Sequence, residues 1–179
     1  MDAENALKSE IFKPIVITLA PGMLAVSPYF FVAQYFHPSL FDSLKDHEVP
    51  ALASVFALVI IVGYILENIG SQIEHLLWRT YEEPGDLEKW HDYLLSKTDA
   101  SQTICSYISS IVLRMKFENS IIAALAIFWL GLTWLYRLAI VDQSYTYWTA
   151  TTFLLALSLY QVFESRSSGM LLRYLRAKL

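Results

Sequence analysis

The sequence predicts an all-α membrane protein with four transmembrane helices in a 2+2 arrangement and a cytoplasmic helical insertion between spans two and three. Three observations carry that prediction. Four stretches, Pro14 to Phe36, Val49 to Leu66, Asn119 to Tyr136 and Gln143 to Phe163, contain no Asp, Glu, Lys or Arg, and roughly 20 apolar residues suffice for a helix to cross a hydrocarbon core of about 30 Å. The composition agrees, with 55% hydrophobic, 15% aromatic and 17% charged residues, against about 25% charged in ordinary soluble domains. Basic residues are also unevenly placed. Lys8 and Lys13 precede span one, Arg79, Lys89, Lys97, Arg114 and Lys116 separate spans two and three, and Arg166, Arg173, Arg176 and Lys178 follow span four. The two remaining connections carry only Lys45 and Arg137. The positive-inside rule then places both termini and the central segment in the cytoplasm.

The segmentation follows from these runs: an N-terminal hairpin over 1–69 with spans at 14–36 and 49–69, and a cytoplasmic helical segment over 70–118. A C-terminal hairpin over 119–163 has spans at 119–138 and 143–163, and a basic amphipathic tail occupies 164–179. The polar stretch before Pro14, with no small-residue cleavage site after it, predicts a retained span and not a signal peptide. Pro14 fits a first helical position, while Pro21, Gly22 and Pro28 mark a kinked span. Such a kink serves close packing or, in a broken helix, a binding site. His37 to Glu48 reads as a polar outer loop between Pro38 and Pro50. Span two has no breaker before Pro84-Gly85, so its helix is expected to continue to about Tyr81. Ala53, Ala57, Gly63 and Gly70 offer small-residue positions for self-association. A short helix is expected over Asp86 to Ser96. A further helix, capped near Thr98 or Asp99, carries the stripe Ile104, Ile108, Ile111, Met115 and runs unbroken into span three. Tyr136, Tyr145, Tyr147 and Trp148 form an aromatic outer end, where Arg137 lies near Asp142. The tail alternates Leu171, Leu172, Leu175 and Leu179 with Arg173, Arg176 and Lys178. That pattern fits an interfacial helix or a helix packed on its own chain.

Between Glu67 and Glu118 there are nine acids and five bases, net −4, whereas the segment from Glu164 onward has one acid and four bases, net +3. The densest polar feature is an intramembrane cluster comprising Glu67, Asn68, Ser71, Glu74, Arg114 and Glu118. Glu67, Ser71 and Glu74 recur at i, i+4 and i+7 and share one helix face. Acids at that depth need compensation, either from a salt bridge such as Glu67 or Glu74 with Arg114, or from an ion or proton that they handle. No metal site is expected: Glu88 and His91 form a single Glu-x-x-His spacing where di-iron bundles need two copies with two more glutamates. Cys105 stands alone and reads as a core residue, which excludes an intramolecular disulfide. Zinc-protease, nucleophile-elbow and phosphate-loop motifs are absent, so neither an enzyme nor a cofactor is predicted. The acidic central segment argues against direct nucleic-acid binding.

The segments Glu67-Asn68-Ile69-Gly70-Ser71-Gln72-Ile73-Glu74 and Lys116-Phe117-Glu118-Asn119 resemble motifs of small uncharacterised bacterial four-span inner-membrane proteins. Proteins of that general design include membrane sensors and membrane-permeabilising effectors of antiphage defence. The resemblance implies a bacterial inner-membrane location and carries no active-site residue over. With the chain's own features it leads to an expected function: a non-enzymatic, homo-oligomeric membrane component acting as sensor, partner-binding subunit or pore-forming effector. A protein partner would bind through residues 75–113. The alternative is a small ion or solute transporter, or a membrane enzyme, that uses the Glu67/Glu74 face.

Overall fold

The computed structural model describes residues 3–45, 47–78, 102–138 and 144–178. Apolar runs and the scarcity of internal breakers produce four long helices and one short one: α1 (Ala3–Phe36), α2 (Pro38–Lys45), α3 (Glu48–Trp78), α4 (Gln102–Arg137) and α5 (Ser144–Lys178). Three of them, over Ile15–Phe36, Glu48–Glu74 and Tyr107–Arg137, are long and apolar enough to cross a membrane. α5 has the length, at 35 residues. Its first half is diluted by Ser144, Thr146, Thr149, Thr151, Thr152 and several tyrosines, so it is less apolar than the other three although Gln143 to Phe163 carries no charge.

Several boundaries differ from the sequence expectation. α1 begins at Ala3, so Pro14 lies inside the helix and not at its first turn. Pro21 and Pro28 also fall within this one continuous helix, and both are buried. The supposed outer loop folds into α2, because Pro38 is well suited to a first helical position while lacking the N–H that α1 would need to continue. α3 continues past its apolar run as predicted, through Trp78. Its extension to Tyr81, the Pro84-Gly85 turn, the Asp86 to Ser96 helix and the Thr98/Asp99 cap lie outside the described residues. α4 runs without interruption from Gln102 into span three; Ile108, Ile111 and Met115 of the predicted stripe are buried, and the side chain of Ile104 is not among those described. The tail is the continuation of α5, and Leu172 is buried against that stripe.

The two chain-neighbouring pairs, α1 with α3 and α4 with α5, are both present, and α4 also packs along α1 and α3. α4 is therefore the central helix. Among the described residues α5 packs substantially on α4 alone. Where α1, α3 and α4 meet, the core consists of Leu66 with Ala25, Ala123 and Ala124, and the three alanines are small enough to let the backbones approach. α1 and α3 touch most closely at Gly22 and Gly63. A Cβ on Gly22 would collide with the Val59 carbonyl oxygen, and one on Gly63 with the Thr18 carbonyl oxygen. Gly70 meets α4 in the same way, where an added Cβ would sit 2.9 Å from Ser120 N. Gly63 and Gly70, expected to serve association between copies, are thus consumed by packing within one chain. Ala53 and Ala57 remain exposed on α3.

At the end of the bundle where α4 meets α5, aromatic rings supply the contacts. Tyr136 stacks on Tyr147 with centroids 4.3 Å apart. The Thr133 and Tyr147 hydroxyls are hydrogen-bonded at 3.1 Å. Tyr29 joins α1 to α4 by donating to the Ile127 carbonyl at 3.1 Å and meeting Trp134 edge to face. Tyr145 and Trp148 point outward, as rings at a headgroup boundary do. The proposed neighbour of Arg137, Asp142, lies outside the described residues.

Candidate functional site

Three charge-free runs end at one level. The first charge after Val49 to Leu66 is Glu67, the last before Asn119 to Tyr136 is Glu118, and the first after Gln143 to Phe163 is Glu164. Because α3, α4 and α5 lie side by side, these three carboxylates gather at the same end of the bundle, around two cations supplied by α4. Lys116 Nζ donates to Glu67 Oε1 at 3.2 Å. Arg114 Nε donates to Glu118 Oε1 at 2.7 Å, one helical turn away on α4. The Arg114 NH2 group also pairs with Glu164 of α5. One guanidinium thus holds two carboxylates, a fork geometry that a lysine could not reproduce.

Beneath these ion pairs runs a buried hydrogen-bonded seam between α4 and α5. Glu118 is 4% exposed, and its second oxygen accepts from Ser168 Oγ at 3.1 Å. Ser165 Oγ donates to Asn119 Oδ1 at 2.7 Å, with both residues fully buried. Ser120 Oγ returns to the Lys116 carbonyl at 2.8 Å, which leaves α4 flush against Gly70 of α3. Gly169 of α5 is also buried. Asn119 Nδ2 is buried with no hydrogen-bond partner among the described residues. An unpaired buried donor costs about 1–3 kcal/mol, so the seam fixes helix register more than it adds stability.

The sequence-predicted cluster is therefore divided. Glu67 is paired by Lys116 and not by Arg114, which serves Glu118 and Glu164. Asn68 and Ser71 are exposed and bond back to their own helix, at the carbonyls of Tyr64 and Glu67. Glu74 lies further along α3, partly buried, and has its own interaction within the chain. Pro21, Gly22 and Pro28 are packed in the bundle interior away from this cluster; Gly131 of α4 fits against Pro28. Arg173 is partly buried and engaged within the chain, while the side chains of Arg176 and Lys178 are not among those described. Ser165, Ser168 and Glu164 escaped sequence reasoning. Their signal was the spacing Glu164-Ser165-x-x-Ser168, which sets a carboxylate and two hydroxyls on neighbouring positions of one helical face. Among the described residues no group of three or more His, Cys, Asp or Glu could hold a metal ion.

No family model, curated protein or solved structure matches this chain.

Proposed function

We propose that this protein is a non-enzymatic component of a homo-oligomeric bacterial inner-membrane assembly, whose cytoplasmic helices receive a partner or signal that its membrane helices answer. In this reading all four long helices cross the bilayer, including α5, and both termini face the cytoplasm. The observation that carries it is the shared level of Glu67, Glu118 and Glu164. Each is the first charge beyond a charge-free run, and they are joined by Arg114 and Lys116. A bilayer boundary at that level explains why the less apolar α5 ends its uncharged run in step with α3 and α4. Beyond it the three helices continue for about three to five turns. That extension makes each a rigid rod from the membrane into the cytoplasm, the form a coupling element needs. The resemblance of the Glu67 to Glu74 and Lys116 to Asn119 segments to small four-span inner-membrane proteins suggests antiphage defence as the setting, with sensing or membrane permeabilisation as the response.

The interior of one chain is closed by Ala25, Leu66, Ala123 and Ala124, so a conducting path would have to form between copies. Native mass measurement of the protein in mild detergent, paired with ion flux from liposomes, tests this. The account expects a defined oligomer, with flux appearing only when the cytoplasmic segment is engaged by its partner. A protein that is monomeric in several lipids would contradict it. The transporter alternative rests on Glu67, whose carboxylate is partly exposed and matched by one lysine. A cation-dependent flux lost in Glu67→Gln with assembly intact would favour that alternative.

A further inference from the structure

α5 carries two lines of side chains on the same repeat, and only one of them is filled. The filled line faces α4, where Tyr147, Leu154, Ser165, Ser168 and Leu172 are buried. On the opposite side Tyr145, Thr149, Thr152, Ala156, Leu159 and Phe163 are all exposed, at alternating steps of four and three residues. That is the heptad spacing with which one helix packs along another over many turns. The middle of this outward line is a groove: Thr149, Thr152 and Ala156 are small, and the exposed Trp148, Phe153 and Leu155 stand beside them as walls. The Thr149 and Thr152 hydroxyls donate back to the carbonyls of Tyr145 and Trp148 at 2.8 and 2.9 Å, so the groove presents methyl groups and makes no polar demand. The line does not stop where the uncharged run stops. It continues through Arg166 to Met170, which is 59% exposed and lies about 9 Å along the helix beyond Glu164.

We infer that the outward line of α5 packs on the same line of a second copy, as a parallel helix pair about a two-fold axis. The inference rests on the reading that α5 crosses the bilayer within a homo-oligomer, and it names the helix that joins the copies. Lipid tails suit the line from Tyr145 to Phe163 but not Met170 beyond the charged level. A water-soluble partner suits Met170 but does not reach Thr152. The occupant is therefore a helix that crosses at the same level and follows α5 on both sides of it, and a second α5 has that length with its small residues at the same height. Two-fold symmetry sets each position of the line beside its own copy, so Thr152 meets Thr152 and Ala156 meets Ala156, where small side chains let the backbones come close. Arg166 is the one charge on the line. Near its level each chain holds three carboxylates, Glu67, Glu118 and Glu164, against two cations, Arg114 and Lys116. Arg166, which has its own interaction within the chain, balances that excess, so pairing the two copies brings no net charge together.

The test uses the full chain with Cys105→Ser, carrying one cysteine at a time over 149–163, at Met170, or at Ala53 and Ala57 of α3. Each protein is reconstituted in liposomes and oxidised with copper phenanthroline. Because the two-fold sets each position beside itself, a single cysteine is enough to form a disulfide-linked dimer. The dimer yield is expected to peak at Thr149, Thr152, Ala156, Leu159 and Phe163, and again at Met170. These peaks should stand several-fold above Phe153 and Leu155, which are also exposed and report random collision in the bilayer. Thr152→Trp, which fills the groove, is expected to raise the dissociation constant measured by native mass titration about 10-fold. Phe153→Trp should change it by less than about 2-fold, with helical circular dichroism unchanged in both. An assembled protein whose yields show no such repeat, or peak at Ala53 and Ala57, would overturn the inference and leave the homo-oligomer standing. Yields that peak within 149–163 but not at Met170 would overturn the continuous pair in the same way. A protein that is monomeric at every concentration would remove the inference and the oligomeric reading together.

Discussion

The contact of α1 with α3 and the contact of α4 with α5 both join chain-neighbouring helices, yet they are built from opposite chemistry. The first is shape. Gly22 and Gly63 bring two backbones together until there is no room for a methyl group on either side. In lipid, where tails are as apolar as the helices, such van der Waals fit drives association. The second adds polarity to its Tyr136–Tyr147 ring stack: Arg114 with Glu164, Ser168 with Glu118, and Ser165 with Asn119, closed by Leu172 on Ile108, Ile111 and Met115. Shape contacts tolerate no enlargement and are indifferent to charge and salt. Polar contacts tolerate changes in volume but depend on each partner being present. The comparison implies that α1, α3 and α4 form a fixed unit, whereas α5 is held to it by bonds that an ion, a proton or a partner can alter.

The largest effect is expected where shape rules. Gly22→Leu or Gly63→Leu must push the helices apart against backbone atoms, at a cost of about 3 kcal/mol. The expected outcome is loss of a monodisperse peak in detergent chromatography, whereas Ala57→Leu, on an exposed position of α3, should leave the fold intact. Weakened assembly in Ala57→Leu would assign the exposed face to contact between copies. A well-folded Gly63→Leu protein would show that the close approach is not required.

Next comes the removal of one partner from the polar seam. Arg114→Ala leaves Glu118 buried without its cation, and we expect a loss of about 2 kcal/mol, reduced from the cost of a fully buried pair because Arg114 is largely exposed. Adding Glu118→Gln should restore much of the loss, since an amide needs no counter-charge. Thermal unfolding of the two single variants and the double variant measures this coupling. Additive losses would mean that Glu118 is compensated elsewhere.

These two contacts were unequally legible in the sequence. Charge-free runs, the continuation of α3 beyond Glu67 and the Ile108, Ile111, Met115 stripe could all be read, because each depends on local periodicity or on the absence of a breaker. Partner assignments could not. Gly63 carries the same small-residue signal whether it faces Thr18 of its own chain or a second copy. Arg114 and Lys116 are two residues apart on α4, so which of them reaches Glu67 depends on the rotation of that helix about its axis. Ser165 and Ser168 looked like ordinary tail residues because their role appears only once α5 lies against Glu118 and Asn119. The start of α1 was missed for a different reason: Pro14 suits a first turn, but a proline can also sit within a membrane helix where neighbours repair the backbone.

A smaller effect is expected at the Lys116–Glu67 pair, which is partly exposed on both sides. Glu67→Gln should cost no more than about 1 kcal/mol. Raising the salt concentration should narrow the difference from wild type in thermal unfolding. If the carboxylate handles an ion, liposome flux would fall in this variant while stability barely changes; equal flux would leave it a structural partner. The smallest effect is expected for Asn119→Leu, which removes one bond to Ser165 together with the unpaired buried amide donor. These losses and gains should cancel to within about 1 kcal/mol, while the register of α4 against α5 becomes less sharply defined.

That register is the most direct measure of the central claim, that α5 is tied to a rigid trio through a polar seam. Spin labels at Tyr107 on α4 and Tyr174 on α5, both exposed, allow the separation of the two helix ends beyond the ion network to be read by pulsed dipolar spectroscopy in nanodiscs. A second pair at Met23 on α1 and Ile61 on α3, also exposed, serves as the reference. The account predicts one narrow distance distribution for each pair in the wild-type background. With Arg114→Ala and Asn119→Leu introduced, the α4–α5 distribution should broaden or split while the α1–α3 distribution stays narrow. An unchanged α4–α5 distance, or equal broadening of both pairs, would contradict it.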